Sequence, residues 1–135
     1  MALAMTSVCD TTLLITFRFP PSEETKQKIT KLVQRELGQR LLVPSIVLTE
    51  YVKVASKKVG IEAAVTHIHE LESRGIIVTD INRQIALEAG KLLAKDPDVP
   101  IADALLAASA TVYSADHVVT NDPHFKKLGV KTQWI

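Results

Sequence analysis

Short apolar runs of strand length alternate with longer stretches of helical periodicity along this chain. That alternation leaves few folds open, because consecutive strand–helix units predict a parallel sheet covered by helices on both faces. The expected fold is α/β, a three-layer α/β/α sandwich around a central parallel sheet. Ser7–Asp10 reads as the first strand and Leu13–Phe17 as a short helix. Pro20-Pro21-Ser22 breaks the chain, with Ser22 as N-cap and Glu23 and Glu24 in the first turn that follows. Ile29, Leu32, Val33 and Leu37 recur at helical spacing until Gly38. Leu41–Val43 is the second strand. A helix opened by Pro44-Ser45 runs through Lys58 to Gly60, and another carries Ile61, Val65, Ile68 and Leu71 to Gly75. Ile76–Thr79 is the third strand, and Asp80 is the expected cap of a helix marked by Ile81, Ile85, Ala89 and Leu92. After the loop Asp96-Pro97-Asp98-Val99-Pro100 comes an alanine-rich helix, Ile101–Tyr113. His117–Thr120 is the fourth strand, Asp122-Pro123 opens a short helix through Leu128, and Lys131–Trp134 is an edge strand.

One domain over residues 1–135 suits this length, and no repeat or low-complexity tract divides it. Hydrophobic residues make up 47% and charged residues 23%, which places the chain among globular proteins and away from disorder. Cys9 is the only cysteine, which excludes a disulfide framework and a zinc finger; a reducing, cytoplasmic setting fits. No stretch approaches the roughly 20 apolar residues of a membrane span. Met5 is a plausible start, with residues 1–4 an extension. Net charge is +1, split as +4 over residues 1–60 and −3 over residues 61–135. A near-neutral total argues against strong nonspecific binding of nucleic acid and leaves room for a local patch.

Four acids stand in or beside apolar stretches. They are Asp10 after Val8-Cys9, Glu50 after Leu48-Thr49, Asp103 in Ile101-Ala102-Asp103-Ala104, and Asp122 in Thr120-Asn121-Asp122-Pro123. Open α/β sheets bind ligands beyond the carboxyl ends of their strands. Asp10 and Asp122 follow strands 1 and 4, Glu50 lies about a turn and a half into the helix after strand 2, and Asp103 lies in the first turn of its helix. All four can meet at that edge. Two unit charges about 4 Å apart at an effective dielectric near 20 repel by roughly 4 kcal/mol. A converging set therefore calls for a divalent cation, and Mg²⁺ suits oxygen ligands. Metal-assisted hydrolysis follows as the leading chemistry.

At these positions the chain resembles the PIN-domain nucleases, and among them the VapC-type toxins. The resemblance rests on Asp10-Thr11-Thr12 with Leu13-Leu14-Ile15, on Thr49-Glu50, on Ile101-Ala102-Asp103-Ala104-Leu105-Leu106-Ala107-Ala108, and on Thr120-Asn121-Asp122-Pro123-His124-Phe125. It spans nearly the whole chain, in order and spacing. It implies an α/β/α fold that binds Mg²⁺ or Mn²⁺ and hydrolyses RNA, with Asp10, Glu50, Asp103 and Asp122 as the acidic quartet that is both catalytic and metal-binding. Thr12 stands where the family places a small hydroxyl or amide residue, able to orient Asp10 or hold a water. A homodimer and a small antitoxin partner are further implications.

Within the quartet the expected roles differ. Asp10, Asp103 and Asp122 are expected to hold the metal, and Glu50 to bind a second ion or orient the attacking water. Each acid also has an ordinary alternative. Asp103 suits a helix dipole, Asp122 suits an N-cap, and Glu50 can pair with Lys53. Asp10, ending an apolar strand, has the poorest ordinary account. Glu50, Lys53 and Lys57 share a helical face that would carry a basic strip toward a phosphate backbone or simply be solvated. His67 and His69, two residues apart, are poor joint ligands; His117 and His124 read as surface or cap residues without a catalytic role. Thr120 and Asn121 can bond a phosphate or the carboxylates, although turn formation is the commoner use of Asn. Phe125 and Trp134 read as core.

Other functions compete. An RNA-processing nuclease without a toxin role shares every feature above. A haloacid-dehalogenase-type phosphatase also ends its first strand in Asp but wants a second Asp two residues on, where Thr12 stands. A receiver-like or RNA-binding module that holds Mg²⁺ without catalysis would expect a further acid pair near strand 1 and a lysine after the last strand, and neither is clear.

Overall fold

The structure, a computed structural model, describes residues 4–135. Three of the four residues of the expected N-terminal extension, 1–3, lie outside the described residues. The elements in chain order are β1 (Thr6–Cys9), α1 (Thr11–Arg18), α2 (Glu23–Leu37), β2 (Arg40–Pro44), α3 (Ser45–Val59), α4 (Ile61–Arg74), β3 (Ile77–Thr79), α5 (Arg83–Lys95), α6 (Ile101–Val112), β4 (His117–Val119), α7 (His124–Lys127) and β5 (Thr132–Gln133).

The five strands form one all-parallel sheet in the order β3-β2-β1-β4-β5. The α/β sandwich expected from the alternation is the fold observed. Right-handed crossovers of this order put α1–α4 on one face of the sheet and α5–α7 on the other. Because both faces are covered, the central strands are mostly apolar: Val8, Cys9, Leu41, Leu42, Val43, Val118 and Val119 are all buried, and the buried polar Thr6 and Ser7 fall at the start of β1. Cys9 is therefore a core residue, as a lone apolar-flanked cysteine would be.

α6 owes its place to small side chains. Ala107 and Ala110 join the main core with Leu106, while Ala104 and Ala108 join a second cluster with Ile85, Ala89 and Val99 of the α5 side. A helix faced with alanine lies close to its neighbours, and α6 packs between α5 and strands β1 and β4. Phe125 is fully buried, and Trp134 is partly buried against the core.

Several local expectations shift. Ser22 caps α2 by accepting from Thr25 N at 3.1 Å, as expected. The cap of α5 is Asn82, not Asp80: Asn82 Oδ1 accepts from Ile85 N at 2.9 Å. Two residues separate β3 from that cap, so Asp80 falls in the extended connection before the helix begins. β1 ends at Cys9, one residue before the expected end, because Asp10 is the N-cap of α1. Gly75 closes α4 in the left-handed region, φ 117°, where a side chain would be strained. Among the described residues no helix is long and apolar enough to cross a membrane.

Candidate metal centre

The strand order reverses direction between β1 and β4: the chain leaves β1 toward β2, and leaves β4 toward β5 on the other side. Such a switch point opens a crevice beyond the carboxyl ends of the two strands. The register pairs Cys9 with Val119, which sets Asp10 beside Thr120 at the mouth of that crevice. Asp10 N donates to Val119 O at 3.2 Å.

Asp10 is held from three sides. Its Oδ1 accepts from Thr11 N at 2.7 Å, and its Oδ2 accepts from Thr120 Oγ at 2.6 Å and Thr12 Oγ at 3.1 Å. The ordinary role that the sequence withheld from Asp10 is thus present, since it caps α1. Thr12 orients Asp10, one of the two uses expected of it. Thr120 does more than turn the chain. Its hydroxyl donates to Asp10 and accepts from Asp122 N at 2.9 Å, which ties the two carboxylate-bearing segments together.

Asp122 accepts from His124 N at 2.9 Å through Oδ1, a turn-capping contact at the start of α7. Asp103 enters from the first turn of α6 and is only 7% exposed. Its Oδ2 is buried without a hydrogen-bond partner, so a favourable helix dipole does not account for it. Burial, then the charges of Asp122 and Asp10, push its carboxyl from an ordinary 3.8 up to about 7. Burial also raises Asp10, offset by the hydrogen bonds from Thr120, Thr11 and Thr12. Three acids that hold one another's charge in check across a buried cleft fit a dication. The orphaned oxygen of Asp103 supplies the specific opening for one.

Glu50 stands one step outside this group. Its Oε1 accepts from Thr11 Oγ at 2.7 Å, so it reaches Asp10 through the residue that follows Asp10 in the chain. Among the described residues it forms no ion pair with Lys53; Lys53 and Lys57 are exposed on the same helix. Asn121 is exposed.

Two histidines differ from their expected places. His117, the first residue of β4, has a mostly buried side chain, its Nε2 3.1 Å from Glu36 Oε1. His124 is half-buried in the cleft itself, its Nδ1 2.9 Å from Asp122 Oδ1 and 3.2 Å from Asp103 Oδ2. Asp103, Asp122 and His124 offer three ligand atoms within 4.8 Å of one another. The sequence signal for His124 was its place two residues beyond Asp122 at a helix start; its approach to Asp103 depends on how α6 and α7 meet. His67 is buried, donor and acceptor to other partners, while His69 is exposed. A cavity of about 390 Å³ lined in part by Arg18, Tyr51, His67 and Arg74 lies at the far end of α1 from the carboxylates. It holds none of the acids of the cleft.

A comparison with curated proteins finds no match. Among solved structures, VapC20 of Mycobacterium tuberculosis, a sarcin–ricin loop cleaving toxin, aligns with TM-score 0.77 at 15% identity, covering 92% of this chain and 95% of that one. VapBC2 of Rickettsia felis, solved bound to a DNA fragment from its promoter, aligns with TM-score 0.73 at 20% identity over 96% and 98%. VapBC-1 of nontypeable Haemophilus influenzae gives 0.73 at 24% identity over 96% and 97%. At these identities the likeness is one of fold. The family model for the PIN domain matches residues 7–131 and so takes in β2, β3, β4 and all but the first residue of β1, together with the three carboxylates of the cleft and Glu50. This chain belongs to the PIN-domain family.

Proposed function

We propose that this protein is a divalent-metal-dependent endoribonuclease and the toxin of a VapBC-type toxin–antitoxin pair, working as a cytoplasmic homodimer restrained by a small antitoxin. The observation that carries the nuclease reading is the meeting of Asp10, Asp103 and Asp122 at the β1–β4 switch point, with one buried carboxylate oxygen left unpartnered. The toxin reading is supported by likeness to structures of VapBC complexes and of a sarcin–ricin loop cleaving toxin.

When bound, Mg²⁺ or Mn²⁺ supplies charge neutralisation of the phosphodiester and acidifies a water in its shell. Asp103 and Asp122 would hold the cation from α6 and from the β4–α7 turn. Asp10, fixed by Thr120, Thr12 and the Thr11 amide, faces the same space with a set orientation, so little side-chain entropy is lost on loading. Glu50, steadied by the Thr11 hydroxyl, either orients the attacking water or holds a second ion. Exposed Lys53 and Lys57 extend that helix with positive charge for the phosphate backbone.

The test is cleavage of a defined RNA panel with Mn²⁺ or Mg²⁺, with and without EDTA. Asp10→Asn is the informative variant, because Asn caps helices about as well as Asp and can keep the bond from the Thr11 amide, while the charge and the oxygen that accepts from Thr120 and Thr12 are lost. Metal-dependent cleavage that vanishes in Asp10→Asn and Asp103→Asn, while thermal melts show both variants still folded at the assay temperature, is the expected result. Undiminished cleavage by either variant, or cleavage indifferent to EDTA, refutes the assignment. Metal and RNA binding without turnover would instead mark a non-catalytic RNA module.

A further inference from the structure

We infer that His124 is a metal ligand, and that Asp103, Asp122 and His124 form a mixed nitrogen–oxygen site that prefers a first-row transition dication such as Mn²⁺ to Mg²⁺. The inference rests on the metal-dependent reading above and adds to it a residue outside the acidic quartet.

The geometry sets three atoms around one point. His124 Nδ1 lies 2.9 Å from Asp122 Oδ1 and 3.2 Å from Asp103 Oδ2. Ligands on adjacent corners of an octahedron with bonds near 2.1 Å sit about 3 Å apart. Short contacts of this length also suit hydrogen bonds, but here the alignment fails. Neither His124 Nδ1 nor Asp103 Oδ2 has a hydrogen-bond partner, although both are buried atoms and close to each other. Buried polar atoms are almost always paired, so a nitrogen and an oxygen that approach without bonding need a third party between them. A cation satisfies both.

The local chain holds this arrangement in place. Asp122 Oδ1 accepts from His124 N at 2.9 Å, which fixes the backbone of His124 to the carboxylate it joins. Phe125, the next residue, is fully buried and anchors α7 in the core. His124 therefore has little freedom to swing out of the cleft. Asp103, carried on close-packed α6, is equally fixed.

The donor set decides the class of ion. Carboxylates alone suit Mg²⁺, which takes oxygen ligands and binds nitrogen poorly. An imidazole nitrogen shifts preference toward transition dications. The expected ligand is thus a transition dication held by one nitrogen and two carboxylate oxygens, with Asp10 near enough to share its charge.

The experiment is pulsed EPR on the full chain loaded with one equivalent of Mn²⁺, paired with Mn²⁺ and Mg²⁺ titrations of wild type and His124→Ala. A ¹⁴N coupling of directly bound imidazole is expected in wild type and absent in His124→Ala. The Mn²⁺ dissociation constant should rise at least about tenfold in the variant, with a smaller change for Mg²⁺. Bound Mn²⁺ without nitrogen coupling, coupling that survives His124→Ala, or equal losses for both ions each overturn the inference while leaving the metal-dependent nuclease standing. Absence of any Mn²⁺ binding at the cleft would overturn both. If His124→Ala does not fold, wild type labelled with ¹⁵N at histidine Nδ1 still decides, since the coupling must change isotope when Nδ1 is the ligand.

Discussion

Thr120 shows how much a single hydroxyl can decide. One oxygen donates to Asp10 and accepts from the amide of Asp122, so it sets the separation of two acids that the chain keeps more than a hundred residues apart. Thr120→Val preserves shape and β-branching while deleting both bonds. RNA cleavage should fall about 10- to 100-fold, the usual cost of losing a group that orients a metal-site carboxylate. Unfolding free energy should fall by only about 1 kcal/mol per lost bond. Cleavage assays beside thermal melts separate the two effects, and a loss of activity no larger than the loss of folded protein would remove the orienting role. Asp10 carries two duties at once, helix cap and cleft carboxylate, which explains why removing its charge and removing its side chain are different experiments.

Helix boundaries are where local signals compete. Asp80 and Asn82 both carry good capping side chains, and the sequence favoured the first. In the folded chain, Asn82 accepts from Ile85 N. Asn82→Ala should therefore cost about 1 kcal/mol of stability and Asp80→Ala nearly nothing. Urea denaturation of the two variants reads this directly, and the reverse order would move the start of α5. α6 makes the complementary point. Its alanines let Asp103 come close to the sheet, so the element that reads as a simple packing helix is also what delivers a buried acid to the cleft.

At the scale of the whole molecule, one buried acid joins three parts of the fold. Glu36 of α2 is 2% exposed. It accepts from Ser7 Oγ on β1 at 2.9 Å and lies 3.1 Å from His117 Nε2 on β4. Burial alone would raise its carboxyl, but the hydrogen bonds from His117 and Ser7, with the charges of His117 and Arg35, hold it below its ordinary 4.5. A carboxyl held low in the folded state stabilises fully above its unfolded value. That stabilisation is lost as pH falls through the folded value. Glu36→Gln should be less stable than wild type at pH 7, by about 1.5–3 kcal/mol for bonds to a charged group. The gap should narrow as pH drops below about 4.5. Urea midpoints from pH 7 to pH 3 test the sign, and a gap that widens on acidification would contradict it. Glu36 drew no notice in the sequence, because an acid on an amphipathic helix reads as solvated until its neighbours are known.

Period and punctuation in the chain fixed the class of fold. Runs such as Leu41–Val43 and His117–Thr120 between helical stretches admit little besides a covered parallel sheet, and local capping chemistry placed most helix ends to within a residue or two. The four acids were also legible, since a carboxylate beside an apolar run is costly without a purpose. Which acids share one space was a matter of strand order. β1 beside β4 brought Asp10 to Thr120 and Asp122, and the small face of α6 brought Asp103, whereas Glu50 stopped one hydroxyl short. His124 entered the cleft for the same reason. A side chain's partners across elements depend on distances that no local pattern encodes, so they exist only once the sheet has closed and the helices have packed on it.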